Sequence, residues 1–233
     1  MVSLIVGQSS SIEEKPVKKT DLTEGPNQDD SRRRMAPDER EEMILKGAVH
    51  FFATHGLDAR TRDLSKALNV SQPLIYRYFG TKEELLERVY QYNFLSRWQE
   101  EWITVLSDRS IALADRLKAF YRSYIEAIDS HDWIRLALFA GLAGRDLTKR
   151  YIETNVNQLL CVIASETQQE MESGAAVLYT IDQLNDLRHE QVWHLHSTVV
   201  YYLMRKHVYK TRTVADHETL ITAAVDSYLK GLR

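Results

Sequence analysis

Several things are scarce in this chain of 233 residues, and each scarcity excludes something. Its single cysteine, Cys161, rules out an intrachain disulfide framework and fits a reducing compartment. Only 4 prolines and 9 glycines punctuate it, which argues against a turn-rich β architecture and for helices. No apolar run approaches the roughly 20 residues of a membrane span. The opening MVSLIVGQSS has neither the basic start nor the apolar length of a signal peptide. Positive charge is scarce too. The formal net charge is −3, and only the segment 32–90 is positive, with 11 basic against 9 acidic side chains. Charge by itself therefore does not announce a nucleic-acid partner, although a local basic patch acts on phosphates within about a Debye length, roughly 10 Å.

What is present is helical periodicity over a 44% apolar composition, enough for a substantial core. Residues 1–35 are polar and lack a period, which predicts a disordered tail. Its closing run Arg32-Arg33-Arg34 reads either as a solvated charge cluster or as an arm reaching a DNA groove. A first helix is expected from a cap at Asp38, with Glu41 completing a capping box. Ile44, Ala48, Phe51, Phe52 and His55 form its inner stripe, and Gly56 ends it. A short second helix is expected over 62–68, with Leu64, Ala67 and Leu68 inward.

Asn69-Val70-Ser71 then reads as a tight turn. Asn tolerates a left-handed backbone, Val70 plugs the corner and Ser71 caps the next helix. Pro73 falls in the first turn of a third helix over 72–79, where its missing N–H costs nothing. Ile75 and Phe79 point inward, leaving Gln72, Leu74, Tyr76, Arg77 and Tyr78 mostly outward. Thr81-Lys82-Glu83-Glu84 is a second capping box. Further helices are expected near 83–106, 110–129, 132–140, 147–173, 181–209 and 215–231, making about nine in an all-α chain. The breaks fall at Ser107-Asp108, Ser130-His131, Gly141 to Gly144 and Ser173-Gly174.

Two short helices joined by a three-residue turn make a helix-turn-helix, whose second helix enters the major groove of duplex DNA. The outward set suits that groove, since Gln pairs with adenine, Arg with guanine, and Tyr hydroxyls with phosphate. Thr61 and Arg62, at the start of the second helix, and Lys82, at the start of the fourth, are placed to meet phosphates.

The stretch Ile44 to Leu86 resembles the DNA-binding domain of the tetracycline-repressor (TetR/AcrR) family. The resemblance rests on Phe51-Phe52-Ala53 with Gly56, Asp63-Leu64, Val70-Ser71, Leu74-Ile75-Tyr76, Tyr78-Phe79 and Thr81-Lys82-Glu83-Glu84-Leu85. The segment between Gly56 and the second helix is one residue shorter than is usual in that family. The resemblance implies a bacterial, cytoplasmic, nucleoid-associated homodimer that binds a palindromic operator and usually represses, with a small-molecule effector in its C-terminal domain. It implies DNA contacts at Thr61, Ser71, Gln72, Pro73, Tyr76, Arg77, Tyr78 and Lys82. The expected division is a tail over 1–35, a DNA-binding domain over 36–82 and a ligand-binding and dimerisation domain over 83–233.

The C-terminal half carries no nucleophile elbow or phosphate loop, so no catalytic residue, cofactor or metal is assigned. Glu190 and His194 are spaced to face one ion beside His189 and His196, but interface or pocket histidines are the simpler reading. The helix over 181–209 has two apolar stripes. Leu184, Leu187, Val192, Leu195, Val199 and Tyr202 form one; Trp193, Val200 and Met204, with Ser197 between, form the other. A helix apolar on two faces is buried on two sides, so a second copy of the chain is expected against Trp193, Ser197, Val200 and Met204, with Leu220, Ala224 and Tyr228 of the last helix. Candidate walls of an effector pocket are Trp98, Trp102, Phe120, Tyr124, Trp133, Phe139, Tyr151 and Trp193. The rival readings are a DNA-binding protein of the same fold without an effector, serving chromosome organisation or a protein partner, and an all-helical enzyme or adaptor.

Overall fold

The computed structural model describes residues 35–172, 186–213 and 215–232, and among them there is no strand. The N-terminal tail with Arg32 to Arg34, the break at Ser173-Gly174 and Leu184 lie outside the described residues. Ala36–Arg233 form one compact unit. Its helices are α1 (Pro37–His55), α2 (Thr61–Ala67), α3 (Gln72–Phe79), α4 (Lys82–Asn93), α5 (Glu101–Ser107) and α6 (Leu113–Ile128). There follow α7 (His131–Leu142), α8 (Asp146–Tyr151), α9 (Asn157–Glu172), α10 (Asp186–Met204) and α11 (His217–Lys230). Among the described residues the helices expected from periodicity are present, with one broken and two relaxed.

The break is in the segment expected as one helix over 83–106. The chain leaves α4 at Phe94, makes a single 3-10 turn over Leu95–Arg97 and restarts as α5. The reason is tertiary, since neither Gly nor Pro occurs there. The turn drops Phe94 into the core against Trp133 and Tyr151, with ring centroids 5.2 and 5.6 Å away. It also lets the Arg97 guanidinium donate to the Ala127 carbonyl at the end of α6. One relaxed helix runs from α8 through a π-turn at Ile152–Val156 into α9, and α10 runs out through a second π-turn at Arg205–Tyr209.

Three local expectations need correcting. Helix α1 begins at Pro37, with Ala36 as its cap residue and Glu39 accepting from the Ala36 amide at 3.1 Å, so Asp38 lies inside the first turn. His55 and Ala67 are exposed; the inner face of α2 is completed by buried Ser65, which donates to the Arg62 carbonyl. Ser71 occupies the cap position of α3 without a side-chain hydrogen bond to the helix. In contrast, Thr81 and Glu84 close a reciprocal capping box, with Glu84 N donating to Thr81 Oγ1 at 3.1 Å and Thr81 N to Glu84 at 2.7 Å.

Helix α1 serves two partners. It buries Ile44, Ala48, Phe52 and their neighbours, and packs on α2 and α4 of the helix-turn-helix region and on α7 of the bundle behind. Arg135 of α7 donates from Nε to the Ala53 carbonyl at 2.6 Å, satisfying an orphan acceptor of the last turn of α1. Arg88 pairs with Glu41 between α4 and α1, and Arg150 pairs with Glu87 while lying 4.5 Å over the Tyr90 ring.

Behind this junction, α6 buries Leu117, Phe120, Tyr121, Tyr124, Ile125 and Ile128, the stripe of an amphipathic helix that crosses the centre of a bundle. Two buried charges organise its start. Glu166 of α9 accepts from Arg116 at 2.7 Å and from Arg109 at 2.8 and 3.0 Å, and Arg116 also reaches the Leu106 carbonyl. Arg116 is 3% exposed, so its charge depends on that carboxylate. Glu166→Gln should therefore lower the unfolding free energy by about 3 kcal/mol, seen as a reduced urea midpoint at unchanged slope.

His196 of α10 is 3% exposed, with the rings of Tyr124 and Trp193 at 5.2 and 5.8 Å. Burial pushes its pKa down to about 4, against about 6.5 in an unfolded chain. The neutral ring is therefore favoured by folding. Its contribution is complete above pH 6.5 and falls away as the pH drops from 6.5 toward 4, by about 3 kcal/mol in all. Chemical denaturation at about pH 7 and about pH 4.5 should show a smaller loss of stability in His196→Leu than in the unaltered chain.

Candidate nucleic-acid interface

The α2–turn–α3 unit is built on a small set of buried contacts. Leu64, Ile75 and Phe79 are at most 4% exposed and lie under it. Asn69 takes the left-handed conformation expected of the turn, with φ of 51°. The Val70 amide then returns to the Ser65 carbonyl at 3.0 Å. Gly47 of α1 lets the turn sit close, since a Cβ there would lie 2.4 Å from Leu68. This gives Gly47 a packing role that periodicity cannot reveal. At the other end of α3, Gly80 has φ of 69° and reverses the chain into the Thr81 cap.

These supports leave a face of α3 free. Arg62, Ser71, Pro73, Tyr76 and Arg77 are exposed, and Gln72, Leu74, Tyr78 and Lys82 are half-buried. The Arg77 guanidinium lies 5.5 Å from the Tyr78 ring centroid, which orients it along the helix surface. Lys82 sits at the N-terminus of α4; desolvation, then the nearby Arg145, holds its ammonium below the usual lysine range. Arg145 is itself 3.4 Å from Asp58, in the segment between α1 and α2.

Thr61 is engaged within the chain itself. It is 6% exposed and forms a hub: its Oγ1 shares a hydrogen bond with the Tyr76 hydroxyl at 2.7 Å and accepts one from Gln72 Nε2 at 3.0 Å. The bonds from Thr61 and then Gln72 hold the Tyr76 phenol below its ordinary pKa. Three residues expected to touch DNA separately are thus tied to one another in the free chain. This triad joins residues 11 and 15 positions apart on two helices. The only sequence signal for it is a polar residue at the start of α2 facing a Gln and a Tyr one turn apart on α3.

The other candidates fall in different places. Trp102, Phe120, Tyr124, Trp133 and Tyr151 are at most 5% exposed, in the middle of the bundle, while Trp98, Phe139 and Trp193 are half-buried at its margins. Trp102 touches Trp98, Phe120 and Tyr124 edge to face. On α10, Val192, Leu195 and Val199 face the chain's own core, whereas Leu187 is 69% exposed and Ser197 is exposed beside half-buried Trp193, Val200 and Met204. Between α10 and α11 runs an apolar groove lined by Leu195, Leu220, Ala224 and Tyr228. Tyr228 is turned inward, its hydroxyl donating to Thr167 of α9 at 3.2 Å. His189, His194 and His196 do not converge with Glu190 on one point: the only histidine-containing cluster with ligand spacing among the described residues is elsewhere.

Residues 44–89 match the family described as bacterial regulatory proteins, tetR family. No curated protein matches the chain's sequence. Similar solved structures include a TetR-like transcriptional regulator from Rhodococcus sp. RHA1, 16% identical, with TM-score 0.61, covering 85% of this chain and 98% of that one. The TetR-family transcriptional regulator PfmR from Thermus thermophilus is 17% identical, with TM-score 0.57 and 82% and 98% coverage. The fatty acid degradation regulator FadR from Bacillus halodurans is 17% identical, with TM-score 0.58 and 86% and 99% coverage. At these identities the likeness shows a shared fold.

Replacing Thr61 by Val keeps the shape and removes the hub. It should cost about 1 kcal/mol of stability in chemical denaturation, with Tyr76→Phe costing less because Gln72 keeps its bond to Thr61.

Proposed function

We propose that this chain, which matches the DNA-binding domain of the tetR family of bacterial regulatory proteins at residues 44–89 and has that family's all-helical fold behind it, is a repressor released from its operator by a small molecule. The observation that carries the DNA-binding part is the rigid α2–turn–α3 unit presenting Gln72, Tyr76, Arg77 and Tyr78, with Lys82 beside them. Arg62, Ser71, Pro73 and Leu74 complete the contact surface, and Thr61 acts through Tyr76 and Gln72. In this reading residues 36–82 are the reading head, and residues 83–233 sense the effector and dimerise.

The half-exposed apolar face of α10, with Leu220 and Ala224 of α11, is the surface for a second copy of the chain. A two-fold dimer sets its two recognition helices about 34 Å apart, one turn of DNA, so a palindromic operator follows. The effector is assigned to the core between α4, α6, α7 and α10. Asn93 Nδ2, the Tyr121 hydroxyl, Trp133 Nε1 and His196 Nδ1 are buried there and bond to no described residue. Apolar walls with a few unsatisfied polar atoms are what an effector with polar groups on an aromatic or aliphatic body uses. Coupling then runs through α4 and α7 to α1, as differential binding between two arrangements of the dimer. The direct ring contacts around Trp102 favour a second reading, a DNA-binding protein of this fold without an effector.

Selection of bound duplexes from a random pool should return a palindrome. On that operator, Arg77→Ala should weaken binding by about 10- to 100-fold with the dimer intact, and Lys82→Ala should reduce the salt slope by about 1. Recovery of no preferred duplex at low salt would overturn the reading.

A further inference from the structure

A second site lies away from α3, where α1 meets α7. His50, in the C-terminal half of α1, and His131 and Asp132, the first two residues of α7, converge there. Asp132 Oδ1 is 3.2 Å from His50 Nδ1 and 2.9 Å from His131 Nδ1, and Oδ2 is 3.3 Å from His50 Nδ1. The three prospective ligand atoms all lie within 4.8 Å of one another. No Lys or Arg among the described residues pairs with Asp132; its ion-pair partners are the two imidazoles.

We propose that His50, His131 and Asp132 form a binding site for one divalent transition-metal ion of the zinc and nickel type, pinning α1 to the start of α7. The donor set of two imidazole nitrogens and one carboxylate oxygen is that of borderline ions and not of Mg²⁺ or Ca²⁺, which take oxygen. A tetrahedral ion about 2.0–2.1 Å from each ligand separates its ligand atoms by about 3.4 Å. The nitrogen–oxygen separations of 2.9 and 3.2 Å therefore need to open by only a few tenths of an ångström. The rings can move that far, since the His50 side chain is 71% exposed and that of His131 39%. The carboxylate is the fixed member, at 24% exposure in the first turn of a helix whose cap, Ser130, is already engaged with the Trp133 amide. With three protein ligands and one side open to solvent, the remaining coordination belongs to water, so the ion exchanges with the medium.

The placement matters because the ligands come from the helix that carries the DNA-binding unit and from the one that packs behind it. Binding an ion there stabilises the observed seating of α1 on α7. Under the regulator reading proposed above, on which this consequence alone rests, occupancy changes operator affinity. The metal site itself requires no DNA.

The test uses the full chain and Zn²⁺ or Ni²⁺ as the probe. Isothermal titration should find one ion per chain at this site, with the binding lost in Asp132→Asn and in the double variant His50→Gln/His131→Gln. Thermal unfolding with excess Zn²⁺ should shift upward in the unaltered chain and not in either variant. Circular dichroism of the metal-free variants should match that of the unaltered chain, which separates loss of the site from loss of the fold. Equal stoichiometry and affinity in the unaltered chain and the double variant would overturn the site. If operator affinity in saturating Zn²⁺ equals that in chelator while the titration still shows the site, the coupling is overturned and the site stands.

Discussion

The C-terminal half of α1 is the constraint on which the other contacts depend. A helix that packs on α2, α4 and α7 ends with carbonyl groups turned toward protein. Burying such a carbonyl without a donor costs free energy comparable to a lost hydrogen bond. Arg135 supplies the donor for Ala53, and its guanidinium lies 5.0 Å from the Phe139 ring centroid, over the ring that also approaches Gly56. Arg135 thus joins the Arg145–Asp58 pair and the Phe139 ring in holding the end of α1 on the bundle. His50, Asp132 and His131 lie at the same junction, closer to the middle of α1.

The α2–turn–α3 unit is preorganised by the same means. A recognition face must offer hydrogen-bonding groups without leaving them to wander through rotamers, because ordering them on binding costs free energy. The Thr61 hub restrains Gln72 and Tyr76 in the free chain, and the Tyr78 ring restrains Arg77. Each of these contacts is individually worth a small amount. Their effect is to narrow the conformations from which binding starts.

Deeper in the bundle the logic reverses. Glu166 accepts from two arginines, and His196 is kept neutral by burial. Its own Nδ1 and the hydroxyl of Tyr121, whose ring centroid is 6.1 Å away, bond to no described residue. A core assembled only for stability would use apolar side chains at such places, since replacing buried polar groups by apolar ones is often neutral or favourable. The contrast between the paired Glu166, Arg109 and Arg116 beside α9 and the unbonded Tyr121 hydroxyl and His196 Nδ1 on α6 and α10 is what supports the proposed effector site.

How much is legible in the sequence follows from the range of the forces involved. Helical class, the α2–turn–α3 unit, the Thr81 capping box, the inward Ile75 and Phe79 and the outward Tyr76 and Arg77 follow from interactions between residues at most a few positions apart. The cap of α1 lies two residues before the position expected, because Glu39 and Glu41 offer competing local caps. The interruption after Asn93, the close approach at Gly47, the Thr61 hub and the His50–Asp132–His131 cluster are not legible. Each depends on a partner brought close only by packing: Trp133 against Phe94, Leu68 against Gly47, Tyr76 against Thr61, and α7 against His50. Periodicity and capping are local, so the order of residues alone makes this protein helical and selects the face of α3 offered to a partner. Which polar side chains meet across helices is settled only in the folded chain, because that meeting depends on how the helices pack.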